Sequence, residues 1–475
     1  MPAGDYIIVR EATGGEDYDN YSAFEDHPFD TEVHIDSATF SNSTGQITVL
    51  ETGHYLAMYN LGFDREVANY YINFESRLLV EGSPSNYCKS GDFCNSSSGY
   101  DDAGPRFTGC GILSLTANDT LIVQTRRDDD DYATVDAFRM ANFCGFQMLR
   151  LDDSWAYYRG RETSARTPST TSGTFTSVEF DTDDEKDSGF THSTTVNPDQ
   201  ITLDAAGHYL VIYTGLYSNT SGTSRKRTSM EARLTLDGTE INATRTHKYT
   251  RGYHTGYAHL NALVIATIIQ TTSTNQVLRA QICHKNNTSN PYCQIDDSAI
   301  SIVKLPDSGV DFLRIEHNAN QDGNSSRDLS FNVNNEVDTG TFVHSTVSSN
   351  ERVTLQQDAF CLFMGMSYAE GSLSYTASNR LGLQWNIGDV IQQVGGGSIQ
   401  VRNTYTETEE SYQGGGVIMS LLDLSQTNYV EIQNDVWGTS QTCPHQANRT
   451  GMQAVNLDQL FGGAPPPERR IFAIT

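Results

Sequence analysis

The chain repeats itself at a nearly constant offset. The run Ile47-Thr48-Val49-Leu50-Glu51-Thr52-Gly53-His54-Tyr55-Leu56 returns 154 positions later as Ile201-Thr202-Leu203-Asp204-Ala205-Ala206-Gly207-His208-Tyr209-Leu210. A more distant copy, Val353-Thr354-Leu355-Gln356-Gln357-Asp358-Ala359-Phe360-Cys361-Leu362, follows after a further 152. Other anchors keep the same register. Phe146-Gln147-Met148-Leu149-Arg150-Leu151 aligns with Ile300-Ser301-Ile302-Val303-Lys304-Leu305 and with Met452-Gln453-Ala454-Val455-Asn456-Leu457. Phe190-Thr191-His192-Ser193 aligns with Phe342-Val343-His344-Ser345. A period this long is far beyond a solenoid repeat, so each copy is sized to fold around a core of its own. The expected organisation is module 1 at 1–153, module 2 at 154–308, module 3 at 309–460 and a C-terminal tail at 461–475. Short joins predict modules packed on one another. They allow a pseudo-trimer within one chain, and they equally allow three beads in a row.

Within each copy the pattern is that of strands. Gln147, Arg150, Ser301 and Lys304 interrupt otherwise apolar runs, whereas His208 to Tyr213 is nearly all apolar, as for a strand covered on both faces. Gly82 and Gly238 follow Leu-rich strands and read as hairpin turns. The only helix candidate, a weak one, is Asp458 to Phe461. Only 37% of the 475 residues are hydrophobic, the remainder leaning on the polar residues of turns and strand surfaces. The expected fold class is all-β: three tandem jelly-roll (β-sandwich) domains in one chain.

Charge narrows the function. With 31 Lys+Arg against 59 Asp+Glu the net charge is −28, which repels nucleic-acid phosphates and anionic lipid. The apolar run Leu260 to Ile269 is too short to cross a bilayer, and the N-terminal residues carry no secretory pattern. Neither nucleic-acid binding nor membrane insertion is therefore expected.

The Gly-His-Tyr-Leu strand, preceded by Phe190-Thr191-His192-Ser193 and followed by Arg233-Leu234-Thr235-Leu236-Asp237-Gly238, resembles the jelly roll of the complement globular head and tumour necrosis factor superfamily. The third copy departs from it, with Ala359-Phe360-Cys361 in place of Gly-His-Tyr. Jelly rolls of this type occur in capsid-surface and fibre proteins of tailed bacteriophages. The resemblance implies a non-enzymatic virion structural protein on the particle exterior: a capsid decoration (cement) protein, or alternatively a head or tail fibre or spike protein that binds a host receptor or surface carbohydrate. Its expected partners are the major capsid protein or other virion proteins, further copies of itself, or a host-surface glycan.

Chemistry-bearing residues are few. Cys88 with Cys94, and Cys283 with Cys293, bracket short polar loops and are disulfide candidates. Cys110 with Cys144 and Cys361 with Cys443 are weaker pairings. No Cys-x-x-Cys pair occurs, and His284 and His445 lack partners at ligand spacing, so no metal site is expected. The acidic runs Asp128 to Asp131 and Asp181 to Glu185 are dense enough to hold calcium, which takes several oxygens; without EF-hand spacing they read as solvated loops, and no cofactor is expected. His54 and His208 recur, as do His192 and His344, but no nucleophile or carboxylate recurs with them, and no Gly-x-Ser-x-Gly elbow is found. These histidines are expected to be structural, and no catalytic residue is assigned. Tyr253 and Tyr257 on a loop, and Ile471 and Phe472 in the tail, are the candidates for partner contact.

Overall fold

A computed structural model describes residues 5–12, 23–65, 71–95, 106–127, 137–140, 143–169, 171–219, 227–251, 260–285, 293–306, 308–321, 327–370, 378–387, 390–402, 413–426, 428–438 and 445–461. Among them the strands form six antiparallel sheets, two in each of three successive stretches of chain. The fold is all-β, and the one helix among the described residues is the short Leu457–Leu460. That helix starts at Leu457, one residue before the expected Asp458, behind the Asn456 cap.

The same strand order recurs three times. In the second copy one sheet runs Thr182–Lys186, Tyr157–Glu162, Cys293–Lys304, Gly207–Asn219, Leu260–Thr271. The matching sheets run Thr31–Ile35, Tyr6–Arg10, Gly145–Arg150, Gly53–Arg65, Arg106–Leu115 in the first copy, and Val333–Val337, Phe312–Glu316, Gly451–Asn456, Ala359–Glu370, Gln413–Leu424 in the third. Register is conserved with the order: Met58 faces Gln147 and Cys110, Ile212 faces Ser301 and Ala266, and Met364 faces Gln453 and Met419. The stretches paired by sequence therefore occupy equivalent places.

Local chemistry explains the recurring motif. Tyr55 and Tyr209 are fully buried, and each hydroxyl donates to the carbonyl four residues earlier, of Glu51 at 2.6 Å and of Ala205 at 2.7 Å. A buried phenol needs such a partner. The hairpin reading also holds. Glu81-Gly82 and Asp237-Gly238 carry positive φ at both positions, the type I′ geometry of a two-residue turn, between the pairs Val80–Ser83 and Leu236–Thr239.

The first and third copies each bury a core between their two sheets, built on residues such as Phe40, Tyr55, Phe74 and Phe146 in one, and Phe342, Phe363, Trp385 and Ile418 in the other. A further cluster joins all three. Leu56, Leu210 and Leu362 meet there with their cross-strand partners Ile112, Ile268 and Leu421, and Met58, Ile212 and Met364 with Cys110, Ala266 and Met419. Side chains from the outward faces of three equivalent sheets thus form one axial core. Leu210 lies in it, 2% exposed. Its truncation to Ala should cost about 2–5 kcal/mol, read as a lowered denaturation midpoint at unchanged slope; a loss under about 1 kcal/mol would mean that the axis is loosely packed.

Candidate functional site

The three copies meet at three equivalent joints, and each joint has the same polar lock. Each axial sheet ends on an edge strand: Arg106–Leu115, Leu260–Thr271 and Gln413–Leu424. An edge leaves backbone N–H groups without a ladder partner, which is costly once buried. Here the next copy supplies the acceptor. The Ile112 N–H donates to Ser301 Oγ at 3.1 Å, the Ile268 N–H to Gln453 Oε1, and the Leu421 N–H to Gln147 Oε1 at 2.7 Å. Ser301 and Gln147 are the residues that interrupt the apolar pattern, and with Gln453 they stand at one equivalent position. The lock runs from the first copy to the second, the second to the third, and the third back to the first. The ring is closed, which selects the pseudo-trimer over beads in a row.

A ring stack flanks each lock. His54 lies on Tyr157 with centroids 3.8 Å apart, and His208 on Phe312 at 3.9 Å. At the third joint Phe360 lies on Tyr6 at 4.3 Å. Each histidine also reaches a carboxylate on the next copy: His54 Nε2 is 2.7 Å from Glu185, and His208 Nε2 is 3.0 Å from Glu336. Glu185 pairs across the sheet with Arg159 and Glu336 with Arg314; the residue at that register in the first copy is His34, facing Ile8. The third joint thus has neither the histidine nor the carboxylate. His34 instead stacks on Tyr6 at 3.9 Å, so Phe360 and His34 contact one tyrosine. The departure of the third copy from the Gly-His-Tyr motif is a change of joint chemistry from ionic to apolar.

Burial works against charge on the His54 ring, but hydrogen bonds and attraction from Glu185 and Asp153 outweigh it, and its pKa stands above the ordinary 6.5. Burial would likewise raise Glu185, yet His54 and Arg159 hold it below the usual carboxylate range. The acidic run Asp181 to Glu185 is consequently no free ligand set. Asp183 meets Lys186 and His192, Asp184 accepts from Tyr87 and Arg161, and Glu185 meets Arg159 and His54. The recurring His192 and His344 are internal staples, with Nδ1 on Asp183 and Asn334 and Nε2 on the Pro198 and Asn350 carbonyls.

The expected disulfides are corrected. Cys88 is a buried free thiol and lies with Cys94 on the single strand Ser83–Asn95. Six extended residues separate their Cα atoms by about 20 Å, and a disulfide needs less than about 7 Å. Cys283 is also a buried free thiol, facing Glu231 across its ladder, while Cys293 opens a strand of the other sheet; the expected bridge is not formed. Tyr253, Tyr257, Ile471 and Phe472 lie outside the described residues, as does the acidic run Asp128 to Asp131.

One cluster escaped sequence reading. Glu11, His27 and Cys144, far apart in the chain, bring their ligand atoms within 4.8 Å of one another, all buried. No spacing rule connects them, and only folding does.

No protein-family model matches the chain, and no curated protein matches it. Among solved structures it is similar to crystal structures of murine APRIL at pH 5.0, 8.5 and 8.0. Each match has 11% identity and covers 31% of this chain and 99% of that one, with TM-scores of 0.21, 0.22 and 0.22.

The ionic joint sets a pH window. The raised pKa of His54 adds stability that is full below its unfolded pKa and is lost as pH rises through the folded value. Depression of Glu185 adds stability above its own unfolded pKa, lost as pH falls through the folded value. The first joint is therefore strongest between about pH 4.5 and 6.5. The stability advantage of the native chain over a His54→Phe chain should shrink as pH rises from about 6 to 9, measured by denaturant titration at each pH. A difference that stays constant across that range would contradict the assignment.

Proposed function

We propose that the chain is a non-catalytic building block of a virus particle, carried on the exterior of a tailed-bacteriophage capsid as a decoration (cement) protein. The closed ring supports this reading. A lone jelly roll with an apolar flank must recruit two other copies before that flank is covered. Here the flanks are covered within one chain, so the unit is complete at any concentration and its outer surface remains available for other partners. Fusion replaces an association that costs several kcal/mol with an intramolecular one.

The mechanism is cohesion by area. A rigid block that spans neighbouring capsid subunits stabilises them by mass action, because it binds the assembled shell and not the dissociated subunits. Three modules give three chances of contact and a raised effective concentration for the second and third. The net charge of −28 suits an exterior facing solvent rather than packaged nucleic acid.

Purified particles would contain this chain in hundreds of copies, and particles stripped of it would lose infectivity at a lower temperature. The chain alone would sediment as a single copy. Stripped particles that are equally robust but fail to attach to cells would reject the decoration role in favour of a receptor- or glycan-binding fibre.

A further inference from the structure

We propose that Glu11, His27 and Cys144 hold a divalent transition-metal ion of the zinc type inside the first sandwich. Three segments converge there. Glu11 leaves the strand Tyr6–Arg10, and its N–H donates to the carbonyl of Cys144 at 2.9 Å. Cys144 sits immediately before the strand Gly145–Arg150. His27 follows Glu25–Asp26 on the other sheet, its N–H donating to the Val123 carbonyl at 2.9 Å. The backbone therefore fixes all three residues before their side chains do anything.

Those side chains are 0%, 1% and 0% exposed for Glu11, His27 and Cys144. Glu11 Oε1 faces Arg139 as a buried ion pair and the Cys144 thiol donates to the Gly62 carbonyl at 3.4 Å, while Glu11 Oε2 and His27 Nδ1 have no hydrogen-bond partner among the described residues. Leaving such groups buried and unsatisfied is costly, and a folded chain rarely sets two of them side by side. His27 Nδ1 stands 3.6 Å from Glu11 Oε2, too far for a hydrogen bond between them. It is close to the ~3.4 Å edge of a tetrahedron with metal–ligand bonds of about 2.1 Å.

The surroundings suit coordination. Thr125 Oγ1 lies 2.8 Å from His27 Nε2, which fixes the ring with Nδ1 turned toward Glu11. Arg139 Nε lies 3.1 Å from Glu11 Oε1 and holds that oxygen, leaving the other for a metal. Such outer partners orient ligands in metal sites generally. Coordination forms the S–metal bond, breaks S–H and releases that proton to solvent. One thiolate and one carboxylate offset the two charges of a divalent ion, with the Arg139 guanidinium beside Glu11 as a further positive charge. The mixed sulfur, nitrogen and oxygen set selects zinc or cobalt over calcium or magnesium.

The test uses the full chain, produced with Zn2+ or with Co2+ in the medium and purified without chelator. Elemental analysis should find one metal per chain, and the cobalt form should show a near-ultraviolet thiolate-to-cobalt charge-transfer band. Cys144→Ser should abolish both. Metal content no higher than that of Cys144→Ser prepared in the same way would overturn the proposal, as would a charge-transfer band that persists in Cys144→Ser. Should that variant fail to fold, His27→Gln keeps the thiolate and must shift the visible cobalt bands; unchanged bands would overturn the assignment.

Discussion

Everything in this molecule depends on the covering of three sheet edges. An antiparallel sheet that ends on a buried edge strand has N–H groups with nowhere to go, and apolar side chains alone cannot satisfy them. The chain answers with one polar side chain per joint: Gln147, Ser301 and Gln453 accept from the Leu421, Ile112 and Ile268 amides of the neighbouring copies. The same contact fixes register. A slip of one residue would turn every axial side chain from the core to the other face of its sheet. Around these locks the leucine and isoleucine layers close the axis.

Three joints built to one plan need not be chemically equal. Two use a histidine stacked on an aromatic ring and tied to a glutamate of the next copy, while the third stacks Phe360 on Tyr6. A homotrimer cannot make such a distinction, because one sequence must serve all three contacts. Fusion into one chain frees each joint to drift. It also orders the copies, since an ionic half-joint does not complement an apolar one.

Much of the fold could be read from residues alone, because repetition is a pattern in the chain itself. The offsets of 154 and 152 located equivalent strands, and Glu81-Gly82 and Asp237-Gly238 announced their turns through the φ values that glycine permits. What stayed hidden was contact between copies. Gln147 and Ser301 looked like defects in apolar strands, since periodicity reports which face a residue occupies and not what lies opposite. The cysteine pairing failed for the same reason. Cys88 and Cys94 bracket polar residues, but the segment between them is a strand rather than a loop and holds them apart. Glu11, His27 and Cys144 show no spacing at all, because their meeting is a property of the tertiary fold.

The central claim is that the third copy closes back on the first. It is tested most directly by amide hydrogen exchange at Leu421 in the native chain and in a Gln147→Ala chain. Closure places the Gln147 side chain on that amide across 274 residues of sequence, so its exchange should accelerate on truncation while amides between the sheets of the first sandwich stay protected. Exchange at Leu421 that is fast in the native chain and unmoved by the substitution would mean an open row of modules and would contradict the ring.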